Sequence, residues 1–283
     1  MPELTVSMPA YNTERFIGEA IEGVLRQTGI DFELLVVDDG SQDDTGKVAL
    51  SFKDPRVKVF RNSRNRGISF CHNRVISESA SAFIAHVDSD DLVLPHALNR
   101  MVTKLKSDPR IGQVHCYFFD IDEDGKVMRE AFRRKQFLKN RPPDMDYRRE
   151  LLIQGTVINH LRTYRREVFD KVGLFNEQLR FAEDYDMALR IIDKFAIKLV
   201  PEFLYCLRLH QNSTTKRVGY TSLRFCLQRL SICRELLKTN QVNFLKEKQY
   251  NPNKLLIQSL YKILRDLSFH YRSEIKAALS PTG

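Results

Sequence analysis

Short apolar runs alternate with amphipathic stretches over roughly the first 120 residues of this 283-residue chain, and that alternation leaves few folds open. Residues 4–8 and 57–60 read as strands. Residues 32–37 form an unbroken apolar run, as a strand needs when both of its faces are buried. Residues 14–27 place Phe16, Ile17, Ala20, Ile21, Val24 and Leu25 on one helical face. Residues 43–52 read as a helix that Asp43 or Asp44 would cap, 68–77 as a helix, 83–87 as a strand and 95–105 as a helix. Strand and helix at this spacing predict an α/β fold on a mainly parallel sheet flanked by helices, with right-handed crossovers.

From residue 113 the pattern changes. Residues 114–121 and 126–129 flank Asp122-Glu123-Asp124-Gly125, a hairpin signal. A basic, polar stretch over 129–149 reads as a loop. Residues 156–164 read as a strand, 183–193 as a helix, and 196–200 and 204–209 as two strands. Two amphipathic helices, 220–237 and 254–271, follow on either side of the turn Asn251-Pro252-Asn253.

In an open α/β sheet, ligands bind beyond the carboxyl ends of the strands. Those ends carry Pro9-Ala10-Tyr11-Asn12, Asp38-Asp39-Gly40-Ser41, residues 62–67 and Asp88-Ser89-Asp90-Asp91. Three carboxylates within the last four residues repel one another unless a cation sits among them, and such oxygen ligands suit Mg²⁺ or Mn²⁺. A cation bridging two phosphates would neutralise the charge that builds on a diphosphate leaving group. An acidic turn that only capped the next helix would need one carboxylate. Tyr11 offers a flat ring for a nucleobase, and Asp39 an acceptor for an N–H on the base edge. Ordinary packing for Tyr11 and an ordinary strand-to-helix turn at 38–41 remain open on these residues alone.

The first turn has no glycine, which excludes a G-x-G-x-x-G dinucleotide site, and no G-x-x-x-x-G-K-[ST] loop occurs. A sugar nucleotidylyltransferase expects a glycine-rich, basic first loop, which is also missing. The run Val6-Ser7-Met8-Pro9-Ala10-Tyr11-Asn12, then Val36-Val37-Asp38-Asp39-Gly40-Ser41, Asn65-Arg66-Gly67 and Asp88-Ser89-Asp90-Asp91, closely resembles the inverting GT-A glycosyltransferases of glycosyltransferase family 2. The resemblance covers roughly residues 4–215. It continues in Gly173-Leu174-Phe175-Asn176-Glu177, Glu183-Asp184-Tyr185-Asp186 and the late element Arg208-Leu209-His210.

The resemblance implies a GT-A-like, Rossmann-like catalytic domain over 1–215, with a nucleotide-sugar half at 1–112 and an acceptor half at 113–215. A basic helical extension would occupy 216–283. It implies that Asp184 is the catalytic base, with Glu183 or Asp186 capping the helix. Pro9, Tyr11, Asn12, Glu14, Asp39, Arg66, Asp88 and Arg208 would bind the nucleotide-sugar, and Asp90 and His210 the metal. Asp88 would meet the ribose or share the metal. The implied reaction moves a sugar from a nucleotide diphosphate-sugar to a glycan, lipid-linked or other hydroxyl acceptor, in polysaccharide assembly. UDP is the family's habitual nucleotide, and Mn²⁺ or Mg²⁺ the cofactor. One departure stands out: where the family often has Ala-Arg-Asn, this chain has Cys71-His72-Asn73.

The formal net charge is +9, and residues 219–283 hold eleven Lys/Arg against four Asp/Glu. Such a tail can dock on an anionic membrane surface or simply cap the catalytic domain. A non-catalytic basic protein that binds nucleic acid or a sugar nucleotide is the rival reading. Acidic clusters that repel phosphate in the absence of a metal weigh against nucleic acid. Five irregularly spaced cysteines predict reduced thiols rather than a disulfide framework. With no signal peptide expected and no apolar run of about 18 residues, the expected location is cytoplasmic; docking of the tail would place the chain peripherally on the inner face of a membrane, and capping would not.

Overall fold

The computed structural model describes residues 1–128, 145–154, 157–158, 160–211, 223–239 and 241–247. Strands β1 (Leu4–Ala10), β2 (Phe32–Asp38), β3 (Val57–Arg61) and β4 (Phe83–His86) alternate with helices α1 (Ile17–Leu25), α2 (Thr45–Ser51) and α3 (Ile68–Glu78). Strand β5 (Leu92–Val93), helix α4 (Ala97–Lys106) and strand β6 (Ile111–Ile121) follow. Then come α5 (Tyr147–Gln154), β7 (Thr163–Arg165), α6 (Glu167–Val172), α7 (Glu183–Lys194), β8 (Ala196–Arg208) and α8 (Leu223–Lys238).

The strands form one eight-stranded sheet in the order β3-β2-β1-β4-β7-β6-β8-β5. The sheet is mixed. Strands β1–β4 pair in parallel among themselves, and so do β6 and β8, whereas β7 runs antiparallel to β4 and β6, and β5 antiparallel to β8. All seven positions of β2 are buried, as its unbroken apolar run predicts. Successive side chains on a strand face opposite ways. Leu34 and Val36 therefore join a core with Ile17, Ile21 and Val24 of α1 and Leu98 and Met101 of α4. Leu35 and Val37 pack on the other face with Cys71 and Val75 of α3. Full burial of each such side chain contributes about 1.5–3 kcal/mol.

A second core gathers Tyr164, Val168, Met187, Leu189 and Ile191, and Ile232, Cys233 and Leu236 of α8 pack into it. Arg229 of α8 is buried and donates to the carbonyls of Leu151 and Leu152, 2.9 Å each. This part of the C-terminal region caps the domain.

Several local readings need correction. Among the described residues of the strand read over 156–164, only Thr163 and Tyr164 are extended, in β7, and Leu161 before them adopts a left-handed φ of +52° that breaks extended backbone. The two strands read at 196–200 and 204–209 are one, with register irregularities where Pro201 and Glu202 interrupt the apolar pattern. The hairpin at Asp122–Gly125 closes on one bridge, Ile121 to Val127. The loop read over 129–149 ends earlier, at α5; residues 129–144, the helix read at 254–271 and its preceding turn lie outside the described residues.

Candidate active site

Parallel pairing of β1, β2 and β4 brings three loops to one sheet edge. The backbone N–H of Asp39 donates to Ala10 O at 2.8 Å, that of Asn62 to Asp38 O at 2.8 Å, and that of Val87 to Ser7 O at 3.1 Å. Asn12 takes φ +54°, which asparagine tolerates, and from there reaches the second loop. Its N–H donates to Ser41 Oγ at 3.0 Å and its Oδ1 accepts from the N–H of Gln42 at 2.9 Å. Glu14 Oε2 accepts from the N–H of Asp44 at 2.8 Å. Thr13 Oγ1 lies 3.1 Å from Ser89 Oγ, which ties the first loop to the acidic turn. Pro9 pairs with Val37 one residue before the end of β1, and Tyr11 just beyond it is 44% exposed, free of the core.

Asp39 is buried. Its carboxylate accepts from Asn62 Nδ2 at 2.7 Å, from the N–H of Arg66 at 2.9 Å and from the N–H of Gly67 at 2.8 Å. It thus folds residues 62–67 over β2, a task the sequence reading did not foresee, and a base N–H would share these oxygens. Gly40 makes the close approach possible: at φ +75°, an added Cβ would sit 2.6 Å from the carbonyl carbon of Arg64. The side chain of Arg66 is exposed and stacks on Phe70, its guanidinium 3.8 Å from the ring centre.

The acidic turn at 88–91 is held by the last strand. Arg208, 1% exposed, donates its backbone N–H to Asp91 Oδ1 at 2.7 Å and its Nε to Asp90 O at 2.8 Å. Its Nη1 reaches Glu123 O at 2.8 Å and its Nη2 reaches Glu19 Oε2 at 2.6 Å. These partners occupy the guanidinium on the scaffold, and the expected phosphate contact would require it to leave them. His210 Nε2 lies 2.8 Å from Asp90 Oδ2. A cleft of about 640 Å³ opens beside them, lined by Asn12, Glu14, Asp43, Glu123 and His210. None of the acidic residues caps α4, whose first turn begins at His96 without a side-chain bond.

Crowding shows in the protonation chemistry. Burial, and then the charges of Asp90 and Asp88, push Asp91 well above the usual carboxylate range. Burial also acts upward on Asp88, but His160 and Arg162 outweigh it and hold this carboxyl below its ordinary value.

The second half of the site lies at the start of α7. Asp184 Oδ2 accepts from Arg162 Nη1 at 2.7 Å, and its Oδ1 accepts from the N–H of Tyr185 at 2.8 Å. Burial, then the charge on Asp184, lifts neighbouring Glu183 to about 7. Asp186 pairs with Arg190 at 2.6 Å, and Arg190 in turn holds the carbonyls of Val172 and Leu174. Neither Glu183 nor Asp186 caps the helix: it begins at Ala182, φ +63°, without a side-chain bond. Their charges still favour the positive end of its dipole.

His72, where the family often has arginine, stacks on His86 with ring centres 3.5 Å apart and lies 2.8 Å from Ser7 Oγ. Asn73 exchanges two 2.9 Å bonds with the backbone of Phe175, tying α3 to the segment before Asp184.

The donor set fits a hard divalent cation. Asp90 and His210 already converge. Asp88, Asp91 and His160 also bring ligand atoms within 4.8 Å of one another and could hold an ion. Asp91 Oδ2 and His160 Nδ1 are buried there with no hydrogen-bond partner. The sequence reading missed His160 and Arg162; their i, i+2 spacing beside the start of β7 was a signal, masked by the strand reading.

The family model "Glycosyl transferase family 2" matches residues 5–173. A chondroitin synthase of Escherichia coli is 28% identical over 217 residues, 76% of this chain; the chain spans 30% of that protein's length. Among solved structures, S. aureus TarS 1-349 in complex with UDP-GlcNAc superposes with a TM-score of 0.67 at 18% identity, covering 91% of this chain and 71% of that one. The mannosyltransferase PcManGT from Pyrobaculum calidifontis, in complex with GDP-Man and Mn²⁺, does so with a TM-score of 0.63 at 17% identity, covering 99% of this chain and 81% of that one. At these identities the two structures establish the shared GT-A fold.

Proposed function

Because this chain belongs to glycosyl transferase family 2, we propose that it is a metal-dependent, inverting enzyme that transfers a sugar from a UDP-sugar to a hydroxyl of a glycan or lipid-linked acceptor. One observation carries the reading. A carboxylate–imidazole pair, Asp90 and His210 at 2.8 Å, lies by the cleft that His210 lines, while a second carboxylate, Asp184, is ion-paired to Arg162 at the start of α7. A single displacement needs both: a cation against the leaving diphosphate and a base for the attacking hydroxyl.

In this reading Tyr11 stacks on the base and Asp39 meets its edge. Pro9, Asn12, Glu14 and Arg66 shape the surrounding cleft, and Asp88 meets the ribose. Residues 1–112 bind the donor and 113–215 the acceptor. When bound, the divalent ion would neutralise charge on the diphosphate, held by Asp90 and His210. The acceptor oxygen forms its bond to the anomeric carbon as the bond to the UDP β-phosphate oxygen breaks, and Asp184 takes the hydroxyl proton. TarS in complex with UDP-GlcNAc supports a UDP-sugar donor, and the E. coli chondroitin synthase supports a polysaccharide product. Among the described residues no helix is long and apolar enough to cross a membrane. In this reading the basic C-terminal region would make peripheral contact with a membrane that carries a lipid-linked acceptor.

The test is release of nucleotide from a panel of UDP- and GDP-sugars, with Mn²⁺, with Mg²⁺ and with EDTA. UDP release that EDTA stops and either metal restores supports the reading. Metal-independent release removes the cofactor, and turnover confined to GDP-sugars removes UDP.

A further inference from the structure

We propose that Arg162 is a positioning residue for the base, a guanidinium that holds the Asp184 carboxylate in its reactive orientation. The inference rests on Asp184 being the base and goes one residue beyond it. Arg162 Nη1 donates to Asp184 Oδ2 at 2.7 Å, and the arginine side chain is only 12% exposed. Its Nε is buried with no hydrogen-bond partner, so the guanidinium is not there to satisfy its own donors. Burial works against its charge, yet Asp184, with Asp88 and Glu183, more than restores it.

The backbone is built to deliver this contact. Arg162 O accepts from the N–H of His86 at 2.9 Å, which anchors the residue to the end of β4. Leu161 beside it is held at φ +52°, a conformation that is costly for leucine and persists only where the surroundings enforce it. The consequence is that one tripeptide serves both halves of the site. His160 Nδ1 lies 3.7 Å from Asp88 Oδ2, and Arg162 reaches Asp184. With Oδ2 held by Arg162 and Oδ1 by the N–H of Tyr185, the Asp184 carboxylate has one defined orientation. Each oxygen keeps a second lone pair, one of which can receive the acceptor proton. A carboxylate free to rotate would meet the hydroxyl in the wrong geometry most of the time.

The experiment uses the full chain and the UDP-sugar that the wild type hydrolyses fastest, with water as acceptor and Mn²⁺ present. Turnover is read as UDP release, and UDP affinity by calorimetry with Mn²⁺. For Arg162→Ala, kcat should fall on the order of 10²-fold while the UDP Kd stays within about threefold of wild type. Guanidinium chloride at low millimolar levels should restore part of the rate. Arg162→Ala added to Asp184→Asn should cost nothing further, because the two act as a unit. Unchanged kcat in Arg162→Ala, or UDP affinity that falls in step with kcat, overturns the proposal. Should that variant not fold, Arg162→Lys decides: it keeps the charge but not the fixed fork, so kcat must fall with UDP affinity intact, and a wild-type kcat overturns the proposal. A wild type that releases UDP from no donor defeats the glycosyl-transfer reading itself, a result distinct from an active wild type with an indifferent Arg162.

Discussion

Arg208 on the last strand reaches Glu19 on the first helix, 2.6 Å away across 189 residues of chain. The same side chain holds Asp90 O and Glu123 O, and its backbone holds Asp91. It is therefore the strut that joins α1, the acidic turn and the hairpin. Arg208→Ala leaves two part-buried carbonyls without their donor and empties a buried volume. Because Glu19 is half-exposed, most of the cost comes from those carbonyls and from lost packing, and we expect about 3 kcal/mol. A fall in Tm of about 5–10 °C by calorimetry would accompany it. A variant with wild-type Tm and weakened UDP binding would instead make Arg208 a phosphate ligand.

Gly40 fixes how closely the loop at 62–67 approaches the end of β2. Gly40→Ala meets two obstacles together, a φ of +75° and backbone atoms of Arg64 at 2.6 and 2.7 Å. Backbone cannot swing aside as a side chain can. The loop must lift and release Asp39 from the N–H groups of Arg66 and Gly67. We expect a loss of about 2–4 kcal/mol and at least tenfold weaker binding of UDP with Mn²⁺. Urea unfolding and calorimetry check the two effects, and wild-type UDP affinity would separate this loop from the donor site.

The legible parts of this chain are those whose physics is local. The apolar run at 32–37 announces a strand covered on both faces, and the triple carboxylate at 88–91 has no cheap structural explanation. The contacts that complete the site are not local. Arg162 and His160 act through an irregular turn at Leu161, which strand periodicity hides. Arg208 reads as a ligand beside His210, but its four anchoring partners come from elements distant in sequence. Asp186 reads as a helix cap, whereas its partner Arg190 one turn later makes it an anchor for residues 172–174. Pro201 and Glu202 split one strand into two on paper, because at a bulge the strand runs on past a local break in both its ladder and its hydrophobic alternation.

His72 replaces a cation with a buried neutral ring, and this should appear as acid sensitivity. Burial pushes its imidazole from an ordinary value of 6.5 down to about 3. In the unfolded chain the same ring takes up a proton below about pH 6.5. Stability is therefore intact above that pH and drains as pH falls from 6.5 toward 3, by up to about 1.4 kcal/mol per pH unit from this group. His72→Gln keeps a partner for Ser7 and removes the titration. Between pH 7 and pH 5 it should lose about 2 kcal/mol less stability than the wild type, measured by urea unfolding at each pH. Equal losses would show that His72 accepts a proton in the folded state.

Asp184→Asn keeps the shape of the base and removes its capacity to take a proton. UDP binding with Mn²⁺ should stay within about twofold, while transfer falls by about 10²–10⁴-fold. Arg162 loses its charged partner in this variant, so a modest fall in Tm is expected alongside. Strong residual transfer would move the base elsewhere, and Glu183, lifted to about 7, would be the neighbour to replace next.

Two groups in this site have the chemistry of a metal centre, and their place relative to the cleft separates them. Asp91 is 1% exposed, and its Oδ1 is already taken by the N–H of Arg208. None of Asp88, Asp91 and His160 lines the cleft beside Asn12 and Glu14, so an ion among them would lie away from it. Asp90 and His210 sit beside the open cleft. A catalytic Mn²⁺ or Mg²⁺ would have to keep positions for water and for substrate phosphate oxygens, so under the proposed function the pair beside the cleft would hold the working ion. Asp90→Ala and His210→Ala should each raise the Mn²⁺ concentration needed for half-maximal UDP release by at least tenfold. His160→Ala should leave it within about threefold and lower kcat only through Asp88. The reverse ranking in a Mn²⁺ titration of the three variants would move the working ion to Asp88, Asp91 and His160.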